Sequence, residues 1–177
     1  MPRRARTGVA AIVASATLML TGCISAPGPA GGQTASEAVD AITAVPGVAS
    51  AKVTSDSMLS GFTRRYSTQI KLELEPGYTV GPDEAATLDW ALRTAWSVRD
   101  QKPDAALQVI FNGPGGAHLG WDPSDATQQL GKKPKERFTG YSSVTVGAEF
   151  AEARYGQWPG TPPEAPPNAF VVGPPAE

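Results

Sequence analysis

Polar and apolar residues alternate most regularly between Tyr66 and Glu75. Tyr66, Thr68, Ile70, Leu72 and Leu74 share one parity, and Ser67, Gln69, Lys71, Glu73 and Glu75 the other. A sustained period of two predicts a strand with one buried and one solvated face. Sheets that leave a face wet are ordinarily antiparallel, and Pro76-Gly77 fits the centre of a type II turn closing the strand. Upstream, Thr34 and Glu37 have capping-box spacing. Val39, Ile42 and Val45 then recur until Pro46-Gly47, which predicts a helix over 36–45. Val48–Met58 reads as a weaker strand followed by a loop at Leu59-Ser60-Gly61.

Downstream, Gly81-Pro82-Asp83-Glu84 opens a second helix, with proline in the first turn and acids at its positive end. Ala85, Leu88, Leu92, Ala95 and Trp96 lie on one face of it. Ala106–Phe111 reads as a third strand, ended by Asn112-Gly113-Pro114-Gly115-Gly116. A short helix fits Pro123–Leu130, and Val144 and Val146 mark a fourth strand. Ala148, Ala151 and Tyr155 suit a last helix, the alternative being one longer strand through Phe150. The predicted fold is α+β: a small antiparallel sheet of about four strands with helices on one face. Its αββαβ core and C-terminal additions would occupy residues 36–156 as a single domain, enough chain to bury one core. Through residue 111 this order resembles the small αββαβ modules of bacterial envelope proteins, a likeness of element order.

The two ends depart from this pattern. Met1–Arg6 carries Arg3, Arg4 and Arg6 and no acid, and Val9–Leu20 holds no charge. A basic start before a short apolar run has the form of a secretory signal. Such a run, rising ~18 Å as a helix, falls short of the ~30 Å needed to span a bilayer. It ends in Leu20-Thr21-Gly22-Cys23, and Cys23 is the chain's one cysteine. This ending resembles the lipobox of bacterial lipoproteins, with Gly22 as the small residue and Cys23 as the acceptor. The resemblance implies diacylglycerol, and hence palmitate-type acyl chains, on the Cys23 thiol. It also implies cleavage between Gly22 and Cys23, removal of 1–22 as signal peptide, and a place on the extracytoplasmic face of the cell membrane. Residues 23–35 would then be the acylated cysteine and a flexible tether, and 157–177, with seven prolines, an extended disordered tail.

Composition narrows the function classes. Fifteen basic against 17 acidic residues argue against a nucleic-acid partner. Without residues 1–22 and their three arginines the balance becomes 12 against 17, a net charge of −5. With a single histidine and no second cysteine, the usual zinc ligand sets cannot be assembled, and the sequence calls for no cofactor. That histidine, His118, sits in the glycine-rich run Gly113–Asp122 with Trp121 and Asp122. Asp122 orienting His118 would make half of a hydrolytic triad, although the chain has neither a nucleophile elbow nor a P-loop. The other readings are a plain irregular connection and a loop that contributes His118, Trp121 and Asp122 to a binding site.

Two surface features complete the candidates. Lys132–Arg137 places four basic residues in six, suited to lipid headgroups or to plain solvation. Trp90 lies about 200° around the second helix from Leu88. It is either an exposed contact residue or is covered by the 112–137 excursion. The expectation is a lipid-anchored, non-catalytic binding or interaction module, with the membrane and an envelope protein or small ligand as partners. The alternative is an envelope hydrolase using His118 and Asp122.

Overall fold

Thr34 starts the first helix as its spacing predicts. Its side chain accepts the Glu37 N–H at 3.2 Å while the Glu37 carboxylate accepts the Thr34 N–H at 2.6 Å, satisfying two otherwise orphaned donors. The Thr34 N–H and hydroxyl hold the Glu37 carboxyl below its ordinary range. The computed structural model describes residues 31–131 and 142–173. Within them α1 (Ala35–Thr43) is followed by β1 (Val48–Ser60), β2 (Thr63–Leu74), β3 (Tyr78–Val80) and α2 (Glu84–Ser97). Next come β4 (Ala106–Asn112), α3 (Ser124–Gln129), β5 (Ser143–Gly147), α4 (Ala148–Tyr155) and β6 (Phe170–Val172). The region over 143–155 is thus a strand and then a helix, not one long strand. The chain joins the domain earlier than residue 36: Gln33 is buried, bridges Val98 and donates to the Ser97 hydroxyl at 2.7 Å.

The fold is α+β, with four strands ordered β1-β2-β4-β5 and helices packed against them. The outer pairs are antiparallel, as expected. The central β2–β4 pair is parallel, Ile70 facing Val109 and Leu72 facing Phe111, so the sheet is mixed. The physical reason is α2. A helix between two neighbouring strands returns the chain to the starting end of the sheet, and the second strand then runs parallel to the first. Between β2 and α2 the turn is as predicted: Tyr78 N donates to Glu75 O at 3.0 Å and Gly77 has φ +83.

One face of the sheet is core. Thr68, Ile70, Leu72 and Leu74 of β2 and Leu107, Val109 and Phe111 of β4 are buried. The other face carries Lys52, Thr54, Lys71, Gln69, Gln108 and Thr145, and Gln69 donates to Gln108 across the strands at 2.6 Å. Glu73, on this second face, is not idle: its carboxylate accepts the Gly115 N–H at 2.6 Å and ties the glycine loop to the sheet. The facing leads to a measurement. Leu72→Ala should lower stability by about 2–5 kcal/mol, and Lys71→Ala, one residue away and exposed, by less than ~0.5 kcal/mol. Equal shifts of the two urea midpoints would refute it.

The largest departure from the sequence reading is at the C-terminal end. Residues 157–173 form an extended strap over α2, not a solvated tail. Trp158 Nε1 donates to Val98 O at 3.1 Å, Gly160 N to Trp96 O at 3.3 Å, and Gly81 N to Ala169 O at 2.8 Å. β6 then pairs antiparallel with β3, Val80 facing Phe170. At Gly81 any Cβ would collide with the Asn168 carbonyl, so only glycine lets the strap pass. Phe170 is 4% exposed and meets Trp90 edge-on at 6.3 Å between ring centroids. Because the strap closes its outer side, α2 is buried on most of its circumference. Its inward polar groups are satisfied locally, Thr94 Oγ1 donating to Trp90 O at 2.8 Å and Ser97 Oγ to Thr94 O at 2.7 Å. Phe170→Ala should cost about 3 kcal/mol and raise amide exchange along β3; an unchanged melting curve would return the strap to solvent.

A polar clamp joins α4 to α2. Arg154 Nε donates to Asp89 Oδ1 at 2.7 Å and the Tyr155 hydroxyl to the same oxygen at 3.2 Å. Burial, then the Asp89 carboxylate, pushes the Tyr155 phenol well above its usual range. No described helix is long and apolar enough to cross a membrane.

Candidate functional site

The end of β4 and the start of β5 hold a cleft of about 270 Å³ on the open side of the sheet. It is lined by Gln108, Ile110, Phe111, Asn112, His118, Ser142 and Ser143. Three of these follow from strand geometry. Leu107, Val109 and Phe111 point into the core, so Gln108, Ile110 and Asn112 stand on the opposite face. The glycine loop then folds back along the strand. A 3-10 turn at Pro114–Gly116 reverses the chain, Gly113 N donates to Ala117 O at 2.8 Å, and His118 bridges Asn112. Gly115, Gly116 and Gly120 all have positive φ, so this reversal depends on glycine.

The sequence candidates separate here. His118 is exposed and lines the cleft. Its Nδ1 accepts the Gly120 N–H at 2.9 Å. An imidazole that accepts at Nδ1 carries its proton on Nε2, where it acts as a donor. A triad base has the reverse arrangement, Nδ1–H held by a carboxylate and Nε2 free to take a proton. Asp122 is engaged elsewhere. Its Oδ1 accepts the Ser124 N–H at 2.9 Å and the Ser124 hydroxyl at 2.6 Å, which holds its carboxyl below the ordinary range. Asp122 therefore shapes the start of α3 and is not paired with His118 Nδ1.

Trp121 is a packing residue, 9% exposed and edge-on to Phe111 at 5.0 Å. The Ser142 hydroxyl donates to its carbonyl at 2.9 Å, pinning the loop to the start of β5. Trp90 is corrected as well: it is 5% exposed beneath Phe170 and offers no contact surface. Its cover comes from the strap. Gly22, Cys23 and the Lys132–Arg137 cluster lie outside the described residues.

The sequence reading missed Gln108, Ile110, Asn112, Ser142 and Ser143. The alternation along β4 carried the signal for the first three, because its second parity had to face something other than the core. Asn112 stands out among them. Its Nδ2 is buried and has no hydrogen-bond partner among the described residues, an arrangement that costs free energy until an acceptor arrives. Among the described residues no group of three or more His, Cys, Asp or Glu is placed to hold a metal ion. Comparison of the chain with protein-family models, curated proteins and solved structures returns no match.

Proposed function

We propose that this protein is a lipoprotein of the bacterial envelope, held through Cys23 to the extracytoplasmic face of the membrane, whose domain binds a partner without transforming it. The cleft beside β4 is the binding site in this reading, and a small polar ligand rich in hydrogen-bond acceptors is its occupant. The observation that carries the proposal is the buried Asn112 Nδ2, without a hydrogen-bond partner among the described residues, in a cleft that also holds His118. The Asn112 amide supplies a donor, and Ile110 offers an apolar wall. Sites of this kind use a few placed polar groups to orient a ligand against apolar surface.

A second reading has one observation in its favour: Ser143 lines the same cleft as His118. A serine and a histidine together are two members of a hydrolytic centre. Turnover separates the two readings. The lipidated chain should show no hydrolysis above background on ester, peptide or glycan substrates, and His118→Ala should leave its fold unchanged. Short peptides and glycan fragments should raise the melting temperature of the wild type, and Asn112→Ala should abolish that rise. A measurable turnover, lost ~10²–10⁴-fold in His118→Ala as expected for a general base, would establish the hydrolase instead.

A further inference from the structure

The β1–β2 hairpin outruns the sheet. β4 first pairs with β2 at Ser67, so residues beyond Ser67 toward the turn project as a two-stranded arm. From Ser67 to Phe62 the arm extends ~17 Å at the rise of an antiparallel strand. Along most of its length it is polar, with Asp56, Ser57, Ser60 and Thr63. The apolar residues gather at its tip: Met58 is 61% exposed, Leu59 72% and Phe62 108%. Each strand residue among them faces an arginine across the hairpin, Met58 opposite Arg65 and Leu59 opposite Arg64. Large side chains held this far out of a core need a reason, and no described element packs on them to supply one.

The position of the arm supplies the reason. It projects from the end of the sheet where β4 begins, because β2 and β4 run parallel away from it. The chain enters the domain at the same end. Gln33 bridges Val98 at the last turn of α2, and Asp100 accepts the Ala35 N–H at 3.0 Å. α2 runs back from the far end of the sheet, so its last turn and the root of the arm lie together. Ten peptide steps separate Cys23 from Gln33, and they reach at most ~33–36 Å. That is ample for the ~17 Å by which the arm projects. An anchor at Cys23 would therefore keep the bilayer within reach of the arm.

We infer that the hairpin tip is a second membrane contact: Met58, Leu59 and Phe62 enter the headgroup–acyl boundary, while Arg64 remains at the phosphates and Arg65, paired with Asp104 at 3.5 Å, braces the root of the arm. The inference rests on the lipid-anchored reading of Cys23. The residue types fit the boundary. Apolar side chains lie below it, and arginine stems run along apolar surface with their charge in water. Asp104 neutralises Arg65 at the root of the arm, and the tip residues 58–64 carry one charge, Arg64, on a chain that is acidic once residues 1–22 are gone. Anionic headgroups would attract the tip even where they repel the rest of the domain. A membrane contact here fixes the orientation of the domain, as a tether alone does not.

Acylation leaves no free thiol in the wild-type chain, so Phe62→Cys introduces a single labelling site at a fully exposed position. The full lipidated protein, labelled there with an environment-sensitive fluorophore, is mixed with vesicles of phosphatidylethanolamine and phosphatidylglycerol and floated. The vesicles should carry the protein, and emission at position 62 should rise severalfold and shift to the blue. A label at Leu59→Cys should behave alike, and one at Lys71→Cys, on the open sheet face, should not change. Flotation without a change at positions 62 and 59 would overturn the tip contact and leave the lipid anchor standing. Failure of the acylated fraction to form or to float would overturn the anchor and the tip contact together. A blue shift that grows with protein concentration in the absence of vesicles would assign the tip to a second copy of the chain, and the membrane contact would fall.

Discussion

Cys23→Ala is expected to abolish acylation and to release the protein from the membrane fraction or leave it unprocessed. One acyl chain holds a protein only marginally at a bilayer, whereas two chains, at ~0.8 kcal/mol per buried CH₂, anchor it stably. Loss of the thiol removes both chains of the diacylglycerol at once, so the effect on partitioning is close to complete. No other cysteine can take the lipid, and no described helix can span the membrane in its place. Labelled palmitate incorporation, partitioning into detergent and the mass of the mature chain check this together. A variant that still partitions into detergent and is cut at the usual position would end the lipoprotein reading.

Trp96→Ala should be the most destabilising substitution in the domain, toward 5 kcal/mol on the scale of Phe and Trp truncations. Trp96 is fully buried on α2. Its Nε1 donates to Gly156 O at 3.0 Å, and its own carbonyl accepts the Gly160 N–H at 3.3 Å. The indole therefore joins the central helix to the end of α4, and the Trp96 backbone joins it to the start of the strap. Removing the indole leaves a cavity and a carbonyl without its donor, against a total stability of ~5–15 kcal/mol for a typical domain. Trp96→Phe keeps most of the ring and loses the donor, so it should cost less, about 1–3 kcal/mol. Urea denaturation of the three chains checks the order. A Trp96→Ala loss below ~1 kcal/mol would mean that the strap and α4 do not depend on this helix.

The candidate site was legible only in part. His118 stood out as the chain's one histidine in a run of glycines, and the structure does bring it to a cleft. Its neighbours there come from β4 and β5, which are distant in sequence, so no local spacing announced them. Asp122 is adjacent in sequence and yet bonded to Ser124. A short polar side chain most readily finds the backbone two residues on, and that local bond wins over the triad arrangement.

Local pattern alone determined α1, β2 and the start of α2, because each rests on interactions within a few residues: a capping box, a period of two, an Asp83 carboxylate accepting the Ala86 N–H at 3.0 Å. The same holds for the α+β class, which follows from the order of those elements. Tertiary structure decided what depends on distant partners. The parallel pairing of β2 with β4 is set by the crossover through α2, and strand periodicity is the same for either direction. The strap over α2 has neither helical nor strand periodicity over most of its length, and its prolines cannot donate backbone hydrogen bonds. Its order comes from Trp158 and Phe170 reaching α2, contacts that no window of sequence contains. Trp90 shows the consequence. A stripe calculation assigns one face of a helix to the core, but once the strap covers the outer face α2 has no solvent side left for Trp90 to occupy.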